Sequence, residues 1–340
     1  MSQPLHYLST LAFSDAWLDE LRDRAPYVHV EQITATSPDD IPEAMWADIH
    51  VLHTSVVFPP AGFVPALRLV QLDTSGADHV AETELWKTGA TFCSIGGVSA
   101  VPLSEYVIFM ILGFAHRLPQ MLDVRDTRVW PSSTERWDRF LPATVVGCTV
   151  GIIGYGRIGR EIAESARALG MTALGVSRTG AAPAPTAPEA RSWGRASLDD
   201  PTAVVAVTEL HSVLARSDYV VVVAPLTEAT RGLIGSAAIA AIKPGAIVIN
   251  AARGGIVDES ALLAALRQGR LAGAALDVFE DEPLPPTSHW WNEPNVVVTP
   301  HVSGLAPHYA DQVMDLLCDN LDRLHRGRSL VNVVDPARGY

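Results

Sequence analysis

Cysteine is scarce in this chain, with three in 340 residues. Cys93, Cys148 and Cys318 are odd in number and lie far apart. That excludes a disulfide framework and gives no metal-ligand spacing, so a reduced, cytoplasmic setting without a metal is expected. Basic residues are also few: Lys plus Arg is 25 against 38 Asp plus Glu, a formal charge of −13. So acidic a chain is a poor partner for nucleic acid or an anionic membrane surface. Any phosphate-bearing ligand must be held by local geometry. Long apolar runs are missing too. The cleanest, Tyr106 to Ala115, is about half a membrane span and reads as a buried helix. Met1-Ser2-Gln3-Pro4-Leu5-His6 has no basic stretch leading into an apolar core, so no signal peptide is expected. No internal repeat is found.

What is present describes a globular protein. Apolar residues make up 48% and charged residues 19%, enough to bury a full core and to exclude a disordered or fibrous chain. The length favours two domains. In the first hundred residues, Leu5–Leu8, Tyr27–Val30, Ile49–Leu52 and Leu67–Leu72 read as strands. Between the first two, Ser14 to Arg24 reads as a helix that Ser14 caps, with Trp17, Leu18 and Leu21 on one face. This alternation predicts a parallel α/β domain. A long apolar helix follows over about Pro102 to Arg117. The polar stretch from Pro119 to Pro142 holds Trp130 and Trp137 but no strand pattern, and is expected to form an arm that packs on another subunit.

From Thr149 the alternation restarts. Val150–Ile153, Ala173–Val176, Tyr219–Val223, Ala246–Ile249, Ala274–Val278 and Val296–Val298 are near-continuous Val/Ile/Ala runs, as in strands buried on both faces. With helices between them they predict a Rossmann-type doubly wound sheet. Gly180 to Pro188 is Ala/Pro-rich and reads as an exposed loop.

The run ending at Ile153 enters Gly154-Tyr155-Gly156-Arg157-Ile158-Gly159 and then a helix closed by Gly170. Gly154 permits a tight turn, Gly156 lets backbone approach a pyrophosphate, and Gly159 lets helix and strand pack closely. The amides at the helix start face the anion. A lone glycine triplet is weak evidence, since glycines gather in turns anyway, but here strand, glycines and helix fall in order. The next strand ends at Val176. An NAD site would place an acid there for the ribose hydroxyl, whereas this chain has Ser177-Arg178-Thr179. A guanidinium flanked by hydroxyls suits a 2′-phosphate, so NADP(H) is expected ahead of NAD(H). A solvated arginine at a strand end is the plain alternative.

Three further groups follow the later strands: Arg253 after Ile249-Asn250, Glu282 after Leu276, and His301 after Val298. Open α/β sheets place ligands at that edge. An arginine, an acid and a histidine suit reduction of a 2-oxo acid. The guanidinium holds the carboxylate and polarises the keto oxygen, the imidazolium gives a proton, and the acid orients the imidazole. Taken singly, each has a plain reading as a turn arginine, a solvated acidic loop or a structural histidine. Their joint occurrence carries the argument.

With these residues in view, the chain resembles the D-isomer-specific 2-hydroxyacid dehydrogenase family. The matching segments are Val150–Gly159, Pro225–Gly232, Ile249–Gly255, Asp277–Pro283 and Thr299-Pro300-His301, in the family's order. The resemblance implies that Arg253 binds substrate, Glu282 partners His301, and His301 is the acid/base. It also implies cofactor contacts from Ala224, Pro225, Ala251, Arg253, Asp277, His301 and Gly304, beside residues 154–159 and 177–179. Thr74-Ser75-Gly76-Ala77-Asp78-His79 resembles the family's substrate-carboxylate loop, making Ser75 and Gly76 substrate residues. The family fold implies a discontinuous, flavodoxin-like substrate domain (1–101 and 305–340), with a returning helix over about Pro307 to His325. A dinucleotide-binding domain (102–304) is implied, with 119–142 as the dimerisation arm of a homodimer.

Two departures narrow the substrate. The loop His53-Thr54-Ser55-Val56-Val57-Phe58 has no Lys or Arg where phosphoglycerate dehydrogenases hold a phosphate, and Thr74-Ser75-Gly76 lacks the lysine of phosphite dehydrogenases. A small unphosphorylated 2-oxo acid is expected, with Val56, Val57 and Phe58 tolerating an apolar side chain. Trp137, Trp290 and Trp291 are either packing residues or covers for the site. A dinucleotide-sensing regulator without turnover is the competing class, disfavoured by the intact Arg253, Glu282 and His301. A dehydrogenase of an unusual donor such as formate has no distinctive residue in its favour.

Overall fold

In the computed structural model the chain divides into two compact units, Met1–Val98 with Ala306–Tyr340, and Ser99–Leu305. The structure describes residues 4–80, 83–181 and 202–335, so most of the Ala/Pro-rich loop expected at 180–188 lies outside the described residues.

The first unit begins β1 (Leu5–Ser9), α1 (Asp15–Arg24), β2 (Val28–Gln32), α2 (Glu43–Trp46), β3 (Val51–Thr54), β4 (Leu69–Leu72) and β5 (Thr91–Cys93). The Ser14 hydroxyl accepts the Trp17 N–H and starts α1, as the sequence predicts. All five strands are parallel in the order β2-β1-β3-β4-β5, the flavodoxin-like arrangement. Side chains alternate between the sheet's two faces. Tyr7, Val51 and Leu69 join Leu18 and Leu21 of α1 on one side. Leu8, Leu52 and Val70 join Ile41 and Trp46 on the other.

The second unit carries α3 (Ala100–Ala115), α4 (Leu118–Thr127), α5 (Ser133–Phe140), β6 (Thr149–Ile153), α6 (Arg157–Ala168), β7 (Thr172–Ser177), β8 (Ala203–Ala206), α7 (Leu210–Leu214), β9 (Tyr219–Val222), α8 (Ser236–Ala241), β10 (Ile247–Asn250), α9 (Glu259–Arg267), β11 (Gly273–Leu276) and β12 (Val296–Val298). Its parallel sheet runs β12-β11-β10-β9-β6-β7-β8. The chain order therefore reverses between β6 and β9, where a doubly wound sheet binds its ligand. Leu103, Val107, Ile111 and Phe114 of α3 recur every three or four residues and pack with Ile162, Ala163 and Ala166 of α6. The first unit then resumes with α10 (Tyr309–His325), whose Val313, Leu317, Leu321 and Leu324 close the same cluster as Tyr7.

Two features go beyond the sequence reading. Strands β5 (Thr91–Cys93) and β8 (Ala203–Ala206), both at sheet edges, were not picked out from the sequence. The arm at 119–142 is mostly helical. A capping box starts α5, with Ser132 Oγ accepting the Glu135 N–H and Glu135 accepting the Ser132 N–H. Neither α4 nor α5 buries a residue, and Trp130 and Trp137 are 82% and 69% exposed. Among the described residues no single helix is long and apolar enough to cross a membrane.

Candidate active site

The turn after β6 is built by close backbone contact. Gly154 has φ +105°, and a Cβ there would lie 2.4 Å from the backbone N of Ala224. The two arms of the switch point therefore touch through a glycine. A Cβ on Gly159 would sit 2.6 Å from the Gly154 carbonyl oxygen. Gly156 differs: nothing lies within 4 Å of its missing Cβ. It precedes α6, whose N-terminus has no side-chain cap. Open space above a glycine at an uncapped helix start fits a pyrophosphate. Tyr155 is buried, with its ring against Gly175, so only its backbone is available to a ligand.

At the end of β7, Ser177 Oγ donates to Ala181 O at 2.8 Å and accepts the Gly180 N–H at 3.0 Å. That hydroxyl closes the turn, while Arg178 and Thr179 are exposed beside it. After β9, Ala224 is buried, and the Pro225 carbonyl accepts the Thr230 hydroxyl at 2.7 Å.

Three adjacent strands deliver the remaining groups to one edge. Beyond β10, Ala252 N–H donates to Asn250 Oδ1 at 3.2 Å and Asn250 Nδ2 donates to the Arg253 carbonyl at 3.3 Å. Ala251 is buried at the start of this turn. A Cβ on Gly254 would fall 1.9 Å from the Phe279 carbonyl oxygen, so only glycine lets the Arg253 turn lie on the segment after β11. In that segment Glu282 Oε1 accepts the Phe279 N–H at 3.0 Å, and Glu282 Oε2 lies 2.7 Å from His301 Nδ1.

His301 has φ +54°, a conformation rare for a residue with a side chain. Its N–H donates to Asp277 O at 2.9 Å and Thr299 O at 3.1 Å. The Asp277 carboxylate, fully buried, accepts the Thr299 hydroxyl and the Val302 and Ser303 N–H groups. The imidazole remains 46% exposed. Gly304 follows, its carbonyl accepting the Ser99 hydroxyl at 2.7 Å. In the first unit, Ser75 and Gly76 follow β4 in a loop closed by Thr74 Oγ1 donating to Gly76 O at 2.7 Å.

The model of the D-isomer specific 2-hydroxyacid dehydrogenase NAD binding domain matches residues 108–303. The chain belongs to this family. A glyoxylate reductase of Thermococcus gammatolerans is 33% identical over 278 residues, 79% of this chain and 77% of that protein. A D-3-phosphoglycerate dehydrogenase of Archaeoglobus fulgidus is 31% identical over 79% of this chain. Of that longer protein, this chain spans only 47%. A solved D-isomer specific 2-hydroxyacid dehydrogenase from Xanthobacter autotrophicus Py2, in complex with NADPH and MES, superposes with a TM-score of 0.78 at 28% identity and covers both chains fully.

Around these groups, sequence reading missed several supporting residues. Asn250 ties the Arg253 turn, and Tyr106 OH lies 2.7 Å from Thr299 Oγ1, extending the Asp277 network to α3. Burial pushes the Tyr106 hydroxyl up to about 12, which keeps it neutral beside the carboxylate. A polar residue ending a buried strand, as Asn250 does, was the available signal. One expectation needs correction. Val57 is fully buried and cannot line a substrate site, although Val56 is 62% exposed. Of the tryptophans left open between packing and cover, Trp290 is a core residue whose indole N–H donates to Glu259, while Trp291 is half exposed and donates to the Pro285 carbonyl.

Proposed function

We propose that this member of the family reduces small unphosphorylated 2-oxo acids, glyoxylate and hydroxypyruvate among them, to D-2-hydroxy acids with NADPH preferred over NADH. The observation that carries this reading is the 2.7 Å contact between His301 Nδ1 and Glu282 Oε2. With Nδ1 engaged by a carboxylate, Nε2 is the nitrogen left to give a proton.

The roles follow from the residues. The Gly154–Gly159 turn and the start of α6 hold the pyrophosphate, with Ala224, Pro225, Ala251 and Gly304 along the path of the dinucleotide and the buried Asp277 carboxylate tying down the 299–303 segment beside it. Arg178 binds the 2′-phosphate, which an acidic residue would repel. When bound, the nicotinamide supplies the hydride. Arg253 pairs with the substrate carboxylate and polarises its keto oxygen. His301 protonates that oxygen, and Glu282 holds the ring in place and offsets the imidazolium charge. Ser75 and Gly76 offer backbone N–H groups to the substrate carboxylate. The α4–α5 arm, apolar and exposed at Trp130 and Trp137, packs on a second copy of the chain in a cytoplasmic homodimer.

The glyoxylate reductase of Thermococcus gammatolerans supports the choice of substrate, and the NADPH-bound structure from Xanthobacter autotrophicus supports the choice of cofactor. The test is loss of reduced-nicotinamide absorbance with NADPH and NADH separately, against glyoxylate, hydroxypyruvate, pyruvate, 2-oxobutyrate and phenylpyruvate. Turnover with NADPH on at least one is expected. Tight NADPH binding with none turned over would favour a sensing protein instead.

A further inference from the structure

Behind the Thr74–Gly76 loop the first unit buries a chain of polar side chains that no step above uses. The Tyr7 hydroxyl lies 2.7 Å from His53 Nδ1. The His53 side chain is fully buried, and its Nε2 stands 3.5 Å from Asp73 Oδ1. Both of these atoms are buried and neither has a hydrogen-bond partner. With the Tyr7 hydroxyl donating to Nδ1, Nε2 carries the N–H that faces the carboxylate; this tautomer is assigned from the hydrogen-bond pattern. Phe13 stacks on the imidazole with ring centroids 5.3 Å apart, which fixes the ring. The Asp73 backbone is tied on both sides, its N–H donating to Thr54 O at 3.1 Å and its carbonyl accepting the Tyr309 hydroxyl at 2.8 Å.

Asp73 stands two residues before Ser75. An aspartate side chain readily accepts the backbone N–H two residues on, closing an Asx turn. Here the Ser75 N–H makes no hydrogen bond among the described residues, and the Asp73 carboxylate faces His53 instead. We propose that His53 is a positioning residue that draws the Asp73 carboxylate off the Ser75 amide, keeping that amide open for the carboxylate of the substrate. The proposal rests on the reading of Ser75 and Gly76 as substrate holders. Without the imidazole, the protein's own carboxylate closes the Asx turn and competes with the substrate's. Such competition raises KM and leaves kcat alone.

The test combines kinetics on glyoxylate with NADPH and binding of oxalate to the NADPH-loaded protein, a readout independent of turnover. His53→Phe is expected to raise both the glyoxylate KM and the oxalate Kd roughly tenfold, with kcat within about twofold of wild type. His53→Gln, which retains an N–H donor, falls between. Adding Asp73→Ala to His53→Phe removes the competing carboxylate and returns both constants to the wild-type range, a rescue that lost packing would not give. If His53→Phe does not fold, His53→Gln with and without Asp73→Ala makes the same comparison. Unchanged constants in the His53 variants, or no rescue by Asp73→Ala, would overturn the proposal. A wild type that neither reduces glyoxylate nor binds oxalate would instead sink the substrate-loop reading, and this proposal with it.

Discussion

His301 Nδ1 and Glu282 Oε2 lie 2.7 Å apart although the two residues follow different strands, β12 and β11. The contact fixes which ring nitrogen is left for chemistry. Replacing Glu282 with Gln keeps the shape but removes the charge that offsets an imidazolium. It should lower kcat on the order of 10²-fold, the lower range for acid–base catalysis. The cofactor Kd, measured by nicotinamide fluorescence, should not change.

Gly254 tests the backbone scaffold. A Cβ there meets the Phe279 carbonyl oxygen at 1.9 Å, and backbone cannot move aside cheaply. Gly254→Ala should displace the Arg253 turn and cost on the order of 10²-fold in kcat/KM, the effect of a misplacement near 1 Å. Gly62→Ala serves as the control, because nothing lies within 4 Å of its Cβ position. Its kinetics and Tm should match wild type.

Arg178 tests the cofactor reading. Arg178→Ala should weaken NADPH roughly 10- to 100-fold, the range for a lost charge-assisted hydrogen bond, and leave NADH nearly unchanged. Titration with each dinucleotide decides. Equal weakening of both would show that Arg178 does not read the 2′-phosphate.

A pH effect on stability should come from a row of histidines on the first sheet. His6 lies beside His29 and His50, with ring centroids 5.0 and 6.0 Å apart. His50 Nδ1 accepts the His6 N–H at 3.1 Å. Desolvation lowers the His50 pKa below its usual 6.5, as do the neighbouring His6 and Arg68, while Asp48 opposes them. His29 is paired with Glu31. The unfolded chain therefore binds this proton more readily than the folded one. Stability is retained above about pH 6.5 and falls as the pH drops below it. Melting curves between neutral pH and about pH 5.5 should show Tm falling, and less steeply in His50→Asn.

Much of this architecture can be read from residue patterns. Val150–Ile153, Tyr219–Val222 and Ile247–Ile249 are Val/Ile-rich because their strands are buried on both faces, and the glycines between β6 and α6 announce the turn. The edge strands β5 and β8 were not picked out, whereas the equally short edge strand β12 was, because its three residues are all valine. Nor was the 1.9 Å fit of Gly254 on Phe279, which depends on two turns far apart in sequence. Val57 misled because an apolar residue beside an expected site looks the same whether it lines the site or the core. The His53–Asp73 approach was hidden for a similar reason: β3 and β4 bring the two residues together only through their register.

The most direct test of His301 as the proton donor pairs turnover with cofactor binding in His301→Gln. NADPH oxidation with glyoxylate should fall roughly 10²- to 10⁴-fold, while the NADPH Kd stays within about twofold of wild type. A His301→Gln protein that turns over at the wild-type rate, or that loses NADPH binding in step with activity, would contradict the account.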